Sequence, residues 1–210
     1  MKAIFGRKQK ETKHVRKRNF WTQGVKIDGK LPRKEFFSKL TEGKKVLHLG
    51  CTDWPVFHPE TNLHIYLAQH AAQLHGMDID AEGIARLKEY VDQPYYLSLD
   101  DAELLSNGYD VCIVPETIEH VDNPADFLKK VGSLPSNVFY ITGPNAFCKK
   151  HIERNYYEET EFVEVVHPDH NCWFSPYTLK NSIEKYSGLK VTAVFLLEDE
   201  TQVCCEARKS

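Results

Sequence analysis

The stretch from Lys45 to Pro55, KVLHLGCTDWP, constrains the fold more than any other part of the chain, because an apolar run stops there at a glycine and gives way to short polar residues. Val46, Leu47 and Leu49 suit a parallel strand covered on both faces, where aliphatic side chains follow one another almost without interruption. Gly50 then lets the backbone turn where a side chain would clash. In an open α/β sheet, the crevice beyond the carboxyl end of such a strand is where a ligand binds. A dinucleotide loop needs three glycines, the second and third admitting the pyrophosphate and the packed helix. Thr52, Asp53 and Trp54 stand in their place here. That argues against a pyrophosphate and leaves room for a nucleoside without phosphates.

A chain of 210 residues suits one large domain. No run approaches the roughly 20 apolar residues of a membrane span. The opening MKAIFGRKQKETKHVRKRNFW is broken by charge where a secretory signal would be apolar. A cytoplasmic protein is therefore expected. Its six cysteines include no C-x-x-C pair, so their spacing supports neither a zinc site nor a disulfide framework. The net charge of -3 conceals a basic arm, since the first eighteen residues carry eight Lys or Arg against one Glu. Such an arm either attracts nucleic acid or an acidic glycan, or is simply a solvated terminus. The expected organisation is a basic arm over 1–29 and a domain over 30–210.

Along the domain, Leu31-Pro32 followed by RKEFFSKL reads as a short helix ended by Gly43. Thr61 or Asn62 is placed to cap the next helix, and Gln73 to Ile79 reads as a second strand ending in Asp78, with Asp80 capping AEGIARLKEY. Tyr95 to Leu99, Tyr109 to Val114 and Asn137 to Thr142 read as three further strands, the last broken by Gly143-Pro144. Asn123-Pro124 and Ser175-Pro176 open helices. The connection around 146–174, rich in Tyr, Glu and His, has the length of a functional lid. Two β-rich runs, Val191 to Leu197 and Gln202 to Ala207, lie too close in sequence to be anything but antiparallel neighbours.

Several of these segments together resemble the class I S-adenosylmethionine-dependent methyltransferases. KVLHLGCT is similar to the family's first motif, with His48 at its acidic position and Thr52 at its second glycine. GMDID is similar to the second, and Asp101-Ala102 to the acidic-then-small pair of the third. Pro115 to His120, PETIEH, resembles the E-x-x-E-H segment of a branch, methyltransferase types 11 and 12, that holds ubiquinone-biosynthesis O-methyltransferases and small-RNA terminal 2'-O-methyltransferases. The resemblance implies a Rossmann-like, doubly wound, seven-stranded α/β sheet, mostly parallel with a C-terminal antiparallel hairpin. It implies S-adenosylmethionine held at Gly50, Cys51, Thr52, Asp78, Ile79, Asp101, Ala102 and Pro115, with the ribose on Asp78 and the adenine on Asp101.

At the acceptor side, Glu116, Glu119 and His120 are spaced so that one helical turn places them on one face. Two carboxylates and an imidazole can bind a divalent ion, with Mg or Mn favoured by the oxygen ligands. His167 or His170 can supply a fourth ligand, and the resemblance to the small-RNA enzymes favours His170. Without a metal, His120 is the expected base, with Glu119 and His170 beside it. Trp173, Phe174, Tyr156 and Tyr157 are candidates for the acceptor pocket or, for Trp173 and Phe174, for the core. The expected reaction is O-methylation of a small molecule or sugar. The alternatives are methylation of RNA engaged by the basic arm, and a non-catalytic relative that has lost the cofactor, as His48 and Thr52 would suit.

Overall fold

The structure, a computed structural model, describes residues 22–53 and 55–209; the basic arm up to residue 21 and Trp54 lie outside the described residues. The chain enters through β1 (Gly29–Leu31) and helix α1 (Arg33–Thr41), then forms β2 (Lys45–Leu49), α2 (Leu63–Leu67), β3 (Gln73–Met77), α3 (Ala81–Leu87) and β4 (Tyr95–Tyr96). It continues through α4 (Ala102–Ser106), β5 (Val111–Val114), α5 (Pro124–Ser133) and β6 (Val138–Pro144). A small insertion follows, made of α6 (Lys149–Arg154) and the strands β7 (Tyr156–Glu158) and β8 (Glu161–Val163). The chain closes with α7 (Pro176–Tyr186), β9 (Leu189–Leu197) and β10 (Gln202–Lys209).

The main sheet has eight strands in the order β1-β9-β10-β6-β5-β2-β3-β4. From β6 to β4 every neighbouring pair is parallel, and β10 runs antiparallel between β6 and β9. The strand order reverses between β2 and β5, which is where a sheet of this kind opens a crevice at its carboxyl edge. The expected sheet of seven strands gains an eighth because Gly29–Leu31 pairs parallel to β9 on the outer edge.

Local chemistry explains most of the helix starts. The side chains of Asn62, Asp80, Asn123 and Ser175 each accept a backbone N–H from the first turn of the helix that follows. Asp101 does the same for α4. The core is Leu- and Val-rich on both faces of the sheet: Leu47, Leu49, Val114 and Phe139 are packed with α5 and α7 on one side, and Phe37, Leu67, Leu74 and Ile113 with α1 and α2 on the other. Five of the six cysteines are buried and all six are free. No helix among the described residues is long and apolar enough to cross a membrane.

Candidate active site

The carboxyl ends of β2, β3, β4 and β5 bring the sequence motifs to one edge of the sheet. At the end of β2, Gly50 takes φ +65°, and a Cβ on it would meet the Thr117 hydroxyl at 2.2 Å. Glycine is required there twice over, by the left-handed backbone and by the close approach of the loop after β5. Its N–H donates to Met77 O across 2.9 Å, tying the loop to β3. Asp78 follows directly. Its Oδ2 accepts the Thr52 N–H at 3.0 Å and the Thr52 hydroxyl at 2.9 Å, while Oδ1 accepts the Asp80 N–H at 3.1 Å. Ile79 next to it is 83% exposed, an aliphatic side chain with nothing among the described residues to cover it. Asp101 uses Oδ1 to cap α4, accepting from Glu103 N and Leu104 N. Ala102 is the first residue of that helix, and Pro115 is buried just past β5. Cys51 is buried as well, its thiol held protonated by burial and by the Asp78 carboxylate.

His48, at the acidic position of the first motif, is turned into the core. Its Nδ1 lies 3.1 Å from Nδ1 of His64 on α2, and the two rings stack with centroids 5.2 Å apart. Burial keeps both neutral, His64 titrating near 3. The pair is part of the packing beneath α2 and stands away from the open edge.

The segment from Glu116 to His120 is not helical. Glu116 adopts φ +46°, residues 118–120 form a turn, and the helix begins only at Pro124 behind its Asn123 cap. The helical face that the three side chains would share is consequently not formed. The Glu116 carboxylate accepts the Thr142 hydroxyl at 2.8 Å, and the Glu116 N–H donates back to Thr142 Oγ1 at 2.9 Å. Glu119 is fully buried, and neither of its carboxyl oxygens has a hydrogen-bond partner. Burial raises both carboxyls, Glu119 to about 9 with the added repulsion of Glu116, and Glu116 to about 7. His120 is exposed.

His120 instead meets the end of the insertion. Asn171 N donates to Glu119 O at 2.7 Å and its side-chain amide to His120 O at 3.4 Å, which fastens the loop before α7 onto the loop after β5. The rings of His120 and His170 then stand edge-on with centroids 4.6 Å apart, and His167 lies 5.4 Å from the first and 5.5 Å from the second. Burial and the neighbouring imidazoles lower the pKa of His120 and bring that of His170 to about 4. Both are neutral at physiological pH. The gathered set is thus His120, His167 and His170, whose ligand atoms lie within 4.8 Å of one another, and Glu116 and Glu119 stand outside it. The expected four-ligand set of Glu116, Glu119, His120 and His170 required the helical turn that this segment does not form.

Two further positions stand beside these residues, His167, which the sequence offers as an alternative to His170, and Arg33. His167 had a signal, the H-x-x-H spacing with His170, but no local rule says which of the two rings reaches His120. Arg33 had none: from the first turn of α1 its charge acts against the raised pKa values of Asp53, Glu116 and Glu119, and its Nε is buried without a partner. Of the aromatic candidates, Phe174 is buried against Gly143, Trp173 packs edge-on against His151, and Tyr156 and Tyr157 are exposed on the β7–β8 hairpin.

Residues 27–194 match the methyltransferase-domain family. Among solved structures, the fold is similar to an S-adenosylmethionine-dependent methyltransferase from Aquifex aeolicus, with a TM-score of 0.60 and 16% identity over 85% of this chain and 90% of the other. It is also similar to the N-methyltransferase NodS from Bradyrhizobium japonicum WM9 in complex with S-adenosyl-L-homocysteine, at a TM-score of 0.53 and 11% identity over 84% and 83%. A chain of the Pnkp1/Rnl/Hen1 RNA repair complex aligns at a TM-score of 0.56 and 19% identity, over 84% of this chain and 41% of that one. No curated protein matches in sequence.

Proposed function

The chain belongs to the methyltransferase-domain family of S-adenosylmethionine-dependent enzymes, and from that premise we propose that it transfers the methyl group to a hydroxyl oxygen of a small molecule or sugar. The observation that carries the choice of oxygen is the cluster of imidazoles around His120 at the end of β5, with His120 and His170 held neutral, on the edge where Asp78 and Ile79 project. Nitrogen and thiolate acceptors need no such group as urgently, whereas a hydroxyl must give up its proton as it attacks.

The residues at the strand ends fit the nucleoside. Asp78 is an acceptor-only group suited to a ribose diol, and the exposed Ile79 offers an apolar face on which a purine can lie. Asp101 retains Oδ2, the oxygen its cap leaves free, for an exocyclic amino group, with the Ala102 backbone beside it. Gly50, Cys51 and Thr52 form the turn over which the amino-acid end would pass, with Pro115 closing the opposite side. The cofactor, when bound, supplies an electrophilic methyl group for a one-step displacement. The protein's part is alignment: the acceptor oxygen is held between the loop after β5 and the insertion, and its proton passes to His120, whose lowered pKa leaves it unprotonated. Glu119 and His170 flank that group and set its surroundings.

Calorimetry with S-adenosylmethionine, followed by turnover with hydroxyl acceptors, tests the reading. Asp78→Ala should weaken cofactor binding at least roughly tenfold. His120→Ala should lower turnover while leaving cofactor affinity nearly intact. Absence of binding at millimolar cofactor would leave a methyltransferase scaffold without the activity.

A further inference from the structure

We propose that His120, His167 and His170 form a binding site for a divalent transition metal of the zinc class, closed between the loop after β5 and the end of the insertion. Each residue offers one ring nitrogen, and the three lie within 4.8 Å of one another. The convergence is built by the backbone. The two bonds from Asn171 to the main chain of Glu119 and His120 pin the segments together, and His170 N donates to His167 O at 3.0 Å to fold the loop so that both of its rings face His120.

A second observation points to a missing partner. Nδ1 of His170 is buried and has no hydrogen-bond partner, although a shielded ring nitrogen ordinarily has one. Three imidazoles gathered with one nitrogen unmatched lack the mutual hydrogen bonds that would otherwise explain their approach. His120 and His167 are exposed, which gives an ion its path of entry and the rings freedom to adjust. Nitrogens around a tetrahedral zinc stand about 3.3 Å apart, so loading requires only rotamer changes in the two exposed rings.

The donor set decides the metal. Glu116 is engaged by Thr142, neither glutamate joins the cluster, and the neighbouring Asp169 carboxylate lies 3.9 Å from His167 Nδ1 as at most one oxygen donor, so the cluster offers mainly nitrogen where Mg and Mn require oxygen. Three imidazoles suit Zn, Co or Ni, and three protein ligands leave a fourth position open, as in catalytic rather than structural zinc sites. An ion there would take His120 as a ligand in place of its role as base, and would lower the pKa of a hydroxyl bound at that open position so that its proton is lost to solvent. This use of the site rests on the acceptor reading given above; the site itself does not.

The test therefore needs neither cofactor nor acceptor. The full chain, free of any added histidine tag and stripped with chelator, is titrated with Co²⁺ while the visible absorption is followed, and Zn²⁺ is then added in competition. The expected result is one Co²⁺ per chain with visible d–d bands, displaced by Zn²⁺ and untouched by millimolar Mg²⁺. His167→Ala and His170→Ala, each confirmed as folded by circular dichroism, should weaken binding at least roughly tenfold, while Glu116→Gln leaves it unchanged. No spectral change with Co²⁺, or undiminished affinity in both histidine variants, overturns the proposal, and weakening by Glu116→Gln overturns the all-histidine assignment. Metal binding without methyl transfer would sink the acceptor reading alone; cofactor binding and turnover without metal binding would sink only the site.

Discussion

The Asp78 carboxylate accepts three hydrogen bonds from its own chain, and two of them come from Thr52 at Oδ2. A carboxylate has about four acceptor positions, so a ribose diol arriving with two donors finds too few free. One donor must withdraw. The backbone N–H of Thr52 is fixed by the turn after Gly50, whereas its hydroxyl can rotate away or be deleted. Thr52→Ala removes the competing hydroxyl and keeps the backbone bond. Its expected effect is tighter cofactor binding, by roughly fivefold for a displaced bond of the usual net value of about 1 kcal/mol. Calorimetry against the wild-type chain reads this directly. Weaker binding would mean that the hydroxyl serves the cofactor itself, and the competition would then be no obstacle. The residue that departs from the family's second glycine is in this account a modulator of affinity, which is why its presence does not require that the cofactor be lost.

At the level of elements, α5 and α7 meet so closely that Gly132 has no room for a side chain. A Cβ there would fall 2.0 Å from the carbonyl oxygen of Ser187, the residue that ends α7. Backbone cannot step aside as a side-chain tip can, so Gly132→Ala must push one helix off the other. Overpacking of this kind costs about 1–3 kcal/mol or more, and it outweighs the gain of about 1 kcal/mol that alanine brings to a helix interior. With a net loss of about 1–2 kcal/mol in a chain of this size, the expected result is a Tm lower by roughly 2–8 °C, while Gly108→Ala, with nothing within 4 Å, leaves Tm within a degree or two. Equal melting of the two variants would show that the helices are not in the contact described. The contrast between these helices and the loop after β5 also marks what the amino-acid order makes legible. Asn62, Asp80, Asn123 and Ser175 announce helix starts because a cap is a contact between residues two or three apart. Glu116 to His120 has helical spacing, yet its shape is set by Thr142, twenty-six residues away, and by Asn171, fifty-one away from His120. For the same reason β6 runs on through Gly143 and Pro144, where the sequence suggests a break: β10 supplies the partners Val203 and Gln202. His167 joins the cluster through that long-range clasp too, and nothing adjacent to it in the chain could say so.

Across the whole molecule, ionisable groups of both kinds are buried in their neutral forms, and the pH dependence of stability follows from their sum. His48 and His64 have folded pKa values below the unfolded value of about 6.5, His64 near 3. The unfolded chain therefore takes up protons that the folded chain refuses, and the contribution of each histidine is complete above about pH 6.5 and is lost as pH falls below it. Glu116 and Glu119 have the opposite sign of shift, to about 7 and about 9 from an unfolded value near 4.5. The unfolded chain loses their protons first, so their contribution is complete below about pH 4.5 and declines as pH rises toward the folded values. Each group changes stability by about 1.4 kcal/mol per pH unit within its window. Between about pH 4.5 and 6.5 the two glutamates oppose His48 and His64, and the lowered pKa values of His75, His120 and His170 tip the balance, so stability rises with pH. Below that range only the histidines act, and above about pH 7 Glu119 continues alone. Tm of the chelator-treated chain should therefore be highest near about pH 6.5, falling on both sides. Because Glu119 has no hydrogen bond to lose, Glu119→Gln should remove the alkaline decline between about pH 7 and 9 while leaving the acid limb in place. The measurement is thermal melting of both proteins across this range. A wild-type Tm that rises from pH 6.5 to 8.5 would mean that Glu119 ionises without cost in the folded chain, and that a cation or donor answers its carboxylate.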